Sequence, residues 1–400
     1  MFSPSASGFR GAAFACALAL AIIPGIARAN DEFRSEWFGF GSEVKASWRI
    51  EAMPNDNMRV IVRPKWLAEE HVKRRIVVLY PRASSAYNVA ITEILHVFED
   101  KQVDVEFHVI NFDRKDDKGK ASIREAEAMN ANMIISMGSE STAWLWDNYR
   151  GGKLPVVTVC SKDPVTLGQA NNYESGSGTN FAFTSLNMPI DSQMTYIIDL
   201  MPELKNIGIL VDKTNVSAME TQAKPIADYA RKKGLRPFML AISRPENAAA
   251  ELRTLVREAT ASMQKSDVDL TQSMFVVTGS TSVFNEIRTI NREASRIPVL
   301  SLVPEIVQAG DDSAAISIGI SFESNAHLAA VYASEILTNA AAVKALKVGI
   351  VSPPDIAINF KRTRAIGLKV PFSFFEAAST IYDPAGKLIR SPSVVVSAKQ

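Results

Sequence analysis

The side chains of this 400-residue chain best suited to hold a ligand are small hydroxyls on turns, each turn following an apolar run of strand length. Ser84, Ser85, Tyr87 and Asn88 follow the run 75–80. Gly138-Ser139-Glu140-Ser141-Thr142 follows 133–137, and Gly279-Ser280-Thr281 follows 274–277. Hydroxyls combined with the free amide groups of a helix N-terminus suit a carboxylate or another anion. Glycine at such a turn lets the backbone approach that ligand closely. Ser84 or Ser85 is equally suited to capping the helix that follows it. Charge is available nearby from Arg82, Glu140, Lys162, Asp163, Asp212 and Glu323, with Asn215 in the loop 212–217. Asp163 heads an Asp-Pro pair, a combination that often does no more than form a turn. Tyr80, Tyr87 and Phe322 offer aromatic faces to an apolar part of a ligand, although core packing is the commoner role of any one aromatic residue.

No catalytic constellation emerges. His71, His96, His108 and His327 are scattered without metal-ligand spacing, and no nucleophile elbow, P-loop or H-E-x-x-H motif occurs. Ser42-Glu-Val-Lys45 fits S-x-x-K, a pattern loose enough to arise by chance. The expectation is a ligand-binding protein with no catalytic residue, no metal and no cofactor.

The elements that must carry these turns occur twice. Residues 75–112 and 206–243 align without a gap at a constant offset of 131, Ile76 with Ile207, Leu79 with Leu210 and Phe107 with Phe238. In each copy an apolar run breaks at a polar loop, a helical segment follows, and a second apolar run returns. The likeness continues from 133–139 (MIISMGS) to 274–280 (MFVVTGS) and from 154–159 (LPVVTV) to 297–302 (IPVLSL). Strands apolar throughout are buried on both faces, so each half is expected to be a parallel-sheet α/β lobe. Two such lobes imply a cleft lined by loops at the carboxyl ends of their strands.

Composition is that of an ordinary globular chain, 47% hydrophobic and 22% charged, long enough for two cores. Residues 1–29 contain Arg10, an apolar run over 12–24 and then Ala27-Arg28-Ala29, the order of a secretory signal peptide cleaved after Ala29. The run is shorter than the roughly 20 residues a membrane span needs. Removing Arg10 and Arg28 takes the 44 basic residues to 42 against 43 acidic, a balance that gives nucleic acid or an anionic membrane no electrostatic footprint. With Cys16 inside that segment, Cys160 is left without an internal disulfide partner. Residues 30–74, which contain Trp37, Trp48 and Trp66, read as an extension wrapping a lobe, and 384–400 read as a polar, peripheral tail.

Several motifs in order resemble the ABC-transporter substrate-binding proteins of the tryptophan- and phenylalanine-binding type. These are Asp163-Pro164-Val165, Asn180, the run 207–210, Ile297-Pro298-Val299, Gly319, and Asn359 with Gly367-Leu368. The resemblance covers about 75–383. The glycines usual after the crossover asparagine are replaced by Phe181-Ala182-Phe183, and Phe322 or its neighbour stands near the usual tyrosine.

The resemblance implies a type I periplasmic-binding fold: two doubly wound parallel-sheet lobes, a hinge of three strands near 184, 321 and 346, and a central ligand cleft. Lobe 1 is expected over 75–183 plus about 322–345, and lobe 2 over 186–320 plus about 346–383. It implies a periplasmic protein, a monomer, that captures an amino acid or related carboxylate and docks on the membrane permease of an ABC transporter. Sensing for a membrane receptor or histidine kinase is the alternative. An amino acid needs neutral donors for its carboxylate and an acid for its ammonium group, which Asp212 or Glu140 would supply. The expected ligand-binding set is Ser84, Ser85, Tyr87, Ser139, Glu140, Ser141, Lys162, Asp163, Asp212, Asn215, Ser280, Thr281 and Phe322.

Overall fold

The computed structural model describes residues 35–67 and 73–392. The signal peptide read over 1–29, His71 and the last residues of the tail, 393–400, lie outside the described residues.

Lobe 1 is built on strands β1 (Trp48–Met53), β2 (Asp56–Pro64), β3 (Arg75–Tyr80), β4 (Glu106–Asn111), β5 (Met133–Met137), β6 (Val156–Val159) and β7 (Phe181–Ala182), in the spatial order β1-β2-β4-β3-β5-β6-β7. From β4 to β7 every pairing is parallel, and β3 and β5 are buried almost end to end. Helices α1 (Ser85–Asp100), α2 (Asp116–Ala128) and α3 (Gly138–Tyr149) make the crossovers. Residues 48–64 are more than a wrapping extension, because β1 and β2 form an antiparallel hairpin and β2 adds to the edge strand β4. Trp48 anchors the hairpin edge-to-face against Trp66 and Phe107, at centroid distances of 5.1 and 5.7 Å. Covering an edge strand in this way removes a row of unpaired backbone groups open to other chains.

After β8 (Thr184–Ser185) and α4 (Ile190–Leu200) the chain builds a second sheet. It contains β9 (Asn206–Asp212), β10 (Arg236–Ile242), β11 (Ser273–Val277), β12 (Val299–Ser301) and β13 (Ile316–Gly319). With β14 (Gly349–Ile350) at the hinge, β15 (Asp355–Asn359), β16 (Thr380–Tyr382) and β17 (Leu388–Arg390) complete it, in the order β10-β9-β11-β12-β13-β15-β16-β17. Part of the expected tail thus closes this sheet, with β17 antiparallel to β16. In lobe 1 the parallel strands run second, first, third, fourth, fifth, and lobe 2 repeats that order. The repeat read from the sequence is therefore a repeat of topology.

The copies differ at the first crossover. Where lobe 1 has the continuous α1, lobe 2 has the short helix α5 (Val216–Ala218), a wide π turn over Met219–Ala223 and then α6 (Lys224–Lys232). Pro225, near the start of α6, has no amide hydrogen to offer the turn before it, and a widened turn absorbs that loss. Helix α7 (Ala248–Gln264) is amphipathic, burying Leu252, Val256 and Met263. After β11 come two short helices, α8 (Thr281–Phe284) and α9 (Ile287–Glu293).

The chain passes between the sheets three times. Thr184 and Ser185 of β8 pair in parallel with Gly349 and Ile350 of β14, a two-stranded ribbon separate from both sheets. The remaining passage runs through Ser321 into α10 (Phe322–Leu337), which packs on α1 and β6 of lobe 1.

Candidate functional site

In a doubly wound sheet the loops diverge where the strand order reverses, leaving a crevice at the carboxyl ends of the strands. Here that point lies between β3 and β5 in one lobe and between β9 and β11 in the other. The loops at both points, with the loop after β6, line a single space of about 60 Å³ between the lobes. Lobe 1 contributes Arg82, Ser84, Ala86, Tyr87, Ser139, Glu140, Cys160 and Lys162. Lobe 2 contributes Asn215, Ser217, Gly279, Thr281 and Phe284, while Leu186 and Phe322 stand near the crossings.

Each wall residue is held by local chemistry. Ser84 takes the N-cap position of α1 in an extended conformation (φ −161°), yet its hydroxyl caps no amide of the helix. Ser139 accepts a hydrogen bond from the Lys162 amide at 2.9 Å, tying the loop after β5 to the loop after β6. Asn215 caps α5 through its Oδ1, which accepts from the Ala218 amide and from the Ser217 hydroxyl. The Tyr87 ring lies over Gly138, where a methyl group would come within 2.0 Å of the phenolic oxygen. Gly138 also takes a left-handed φ of +79°, so both space and backbone require glycine there. Burial raises the Tyr87 pKa, so the phenol stays protonated and can donate.

The charges divide into a paired group and one unpaired cation. Glu140 accepts two hydrogen bonds from Arg114, at 2.9 and 2.7 Å, and one from Arg82 at 3.3 Å. Burial pushes its pKa up, but the bonds from Arg114 and the Arg82 charge outweigh that, and the net shift is downward. Lys162 is 6% exposed, and its Nζ reaches across the cleft to Gly279 of the other lobe. Burial lowers its pKa to about 8. No carboxylate among the described residues pairs with it. The neighbouring Cys160 is buried at a left-handed φ of +54°, its thiol pKa raised by burial, and its amide is fixed by Asn325 Oδ1 of α10 at 2.7 Å.

Of the thirteen residues expected at the site, Ser84, Tyr87, Ser139, Glu140, Lys162, Asn215, Thr281 and Phe322 line the cavity. The other five do not. Ser85 is exposed on the first turn of α1. Ser141 turns into lobe 1, donating to the Leu79 carbonyl. Asp163 holds its own turn, accepting from the Val165 amide, the Thr166 hydroxyl and the Tyr173 phenol. Asp212 accepts from the amide and hydroxyl of Thr214 and from the Ser282 hydroxyl. Ser280 is fully buried, its Oγ accepting from the Asp212 amide. Residue type placed all five in the right loops, but a short polar side chain beside a helix start satisfies its own turn as readily as a ligand. Leu186 and Phe284 were missed, since nothing separates such residues in sequence from ordinary core positions. Tyr80 is fully buried in an edge-to-face set with Phe38 and Tyr87.

Residues 95–381 match the family described as ABC transporter substrate binding protein. The chain belongs to that family. Members are ligand binders, not enzymes. Among curated proteins the chain is 24% identical over 216 residues to a tyrosine-binding protein of Clostridioides difficile (strain R20291), covering 54% of this chain and 58% of that protein. Two solved structures share the fold. One is the ABC domain from Streptococcus pneumonia in complex with L-Trp (TM-score 0.60, 16% identity, 77% of this chain and 99% of that one). The other is a substrate-binding protein with adhesive properties from Clostridium difficile, ligand-free and open (TM-score 0.58, 17% identity, 78% and 99%). The type I periplasmic-binding architecture expected from the sequence is the one observed.

Proposed function

We propose that this chain is the solute-binding component of an ABC-type uptake system, exported and processed after Ala29, which captures a small carboxylate-bearing ligand between its lobes and presents it to a membrane permease. The observation that carries this reading is the meeting of both strand-order reversals on one space, with Ser84 and Ser139 on one wall and Asn215 and Thr281 on the other. Relatives that bind tyrosine or L-Trp put the ligand in the size class of amino acids. Both walls come from one polypeptide, so a monomer is a complete binding unit. Hydroxyl and amide donors on both walls suit an oxygen-rich polar ligand.

The test is a thermal-shift screen of the purified protein against amino acids, 2-oxo acids, 2-hydroxy acids and dicarboxylates, followed by small-angle scattering with the best hit. Binding should raise the melting temperature and reduce the radius of gyration as the lobes draw together. A screen in which sugars or cations stabilise the protein and no carboxylate does would overturn the reading.

A further inference from the structure

Lys162 is the group the site leaves unexplained. Its side chain is more than nine-tenths buried, its Nζ faces the cleft against Gly279, and no described carboxylate neutralises it. A desolvated ammonium is unfavourable unless a counter-ion joins it.

The acids around the cleft are meanwhile committed. Two guanidinium groups hold Glu140. The Asp212 carboxylate is occupied by Thr214 and Ser282, and the Asp163 carboxylate by its own turn and Tyr173. Asn215 Oδ1 already accepts two hydrogen bonds. Among the side chains that line the space, Arg82 and Lys162 are cationic and Glu140 is the one carboxylate. A zwitterion would bring its ammonium group beside these cations with no free acid on the cavity lining to receive it.

We propose, resting on the reading that this cleft holds a small carboxylate, that the ligand lacks an ammonium group. It is a 2-oxo or 2-hydroxy acid whose carboxylate pairs with Lys162, and whose neutral oxygen takes the hydroxyls of Ser84, Ser139 and Thr281. The amino group that distinguishes an amino acid from its oxo acid thus becomes the feature the cleft rejects. The titratable neighbours of Lys162 at the site are Cys160 and Tyr87, both kept neutral by burial, and the Arg82–Glu140 pair; Glu305, which acts on Cys160 from behind, does not line the cavity, and burial raises its pKa to about 7. None of them supplies the missing negative charge.

Calorimetry with matched probes tests this: pyruvate and lactate against L-alanine, 4-methyl-2-oxopentanoate against L-leucine, and phenylpyruvate and phenyllactate against L-phenylalanine. In the series that binds, the oxo or hydroxy acid should bind at least tenfold more tightly than the amino acid, and Lys162→Met should remove at least that tenfold. Wild-type affinity should also fall about tenfold per pH unit above pH 8, as the free ammonium loses its proton. This pH profile needs no variant, so it decides the matter if Lys162→Met does not fold. An amino acid that binds as tightly as its oxo acid, or an oxo-acid affinity that stays flat from pH 7 to 10, overturns the proposal and leaves the carboxylate reading standing. If no carboxylate binds the folded protein, both fall together.

Discussion

The ammonium of Lys162 rests against the backbone of Gly279 across the cleft, so close that a methyl group on Gly279 would lie 2.2 Å from Nζ. One lobe supplies the cation and the other the bare backbone that admits it. Gln222 holds that backbone, its Oε1 accepting from the Gly279 amide at 2.8 Å.

Gly279→Ala should therefore displace the lysine without unfolding either lobe, because a flexible side-chain end can move where backbone cannot. Affinity for a binding carboxylate is expected to fall by about tenfold, roughly the scale of one lost charged hydrogen bond. On a Lys162→Met background the same substitution should cost almost nothing. Calorimetry on the two single variants and the double variant measures this coupling, and independent, additive losses would contradict the contact.

Glu305 makes stability depend on pH. It follows β12, its Oε1 accepts the Phe322 amide at 2.6 Å where α10 begins, and its Oε2 is buried without a partner. Burial raises its pKa from 4.5 to about 7, with Asp355 and Glu323 adding like charge. Between those values the folded protein keeps a proton that the unfolded chain has released. This contribution is thus fully present below pH 4.5 and is lost as pH rises through 7. Glu305→Gln should melt a few degrees above wild type at pH 8 and within about a degree of it at pH 5. Equal differences at both pH values would show that the carboxyl does not hold the proton.

Gly138→Ala meets both a left-handed backbone and the Tyr87 phenol. A loss of roughly 1–3 kcal/mol from the backbone alone is expected, and the steric clash adds to it. Adding Tyr87→Phe should return part of the stability by removing the oxygen nearest the new methyl. Urea melts of the single and double variants test this, and no recovery would mean the clash lies elsewhere.

Trp48→Ala should cost about 3–5 kcal/mol, as for other buried aromatic residues, because it removes the anchor of the hairpin that lengthens the lobe 1 sheet. Trp48→Phe should be far milder, since the indole Nε1 is buried with no hydrogen-bond partner and its loss leaves nothing unsatisfied. A phenylalanine variant as unstable as the alanine variant would show that the indole makes a contact beyond packing.

The offset of 131 places Arg75 on Asn206 and Glu106 on Pro237, within one residue of the starts of all four strands concerned. Apolar runs buried on both faces leave that strong a signal because the whole strand is constrained. The hairpin was not read within 30–74, although Val60, Val62 and Pro64 alternate inward after a turn at Asn55, whose φ is +65°. Side-chain direction within the loops was not legible. Asp212 ends β9 and Ser84 follows the equivalent strand β3, both at polar turns, yet one satisfies its own loop and the other lines the cavity. The difference depends on backbone angles that neither residue type dictates.

The ribbon of β8 and β14 separates reading the ligand from setting how tightly it is held. Backbone hydrogen bonds join Thr184 and Ser185 to Gly349 and Ile350, so a rotation about this ribbon would keep them while a slide of one strand past the other would break them. Apparent affinity is the intrinsic affinity scaled by the fraction of molecules already in the binding-competent arrangement. Gly349, where a methyl group would lie 2.9 Å from the Leu328 side chain of α10, bears on that fraction without lining the cavity. Natural drift at such a position could retune the working concentration range of the protein while its choice of cargo stayed the same.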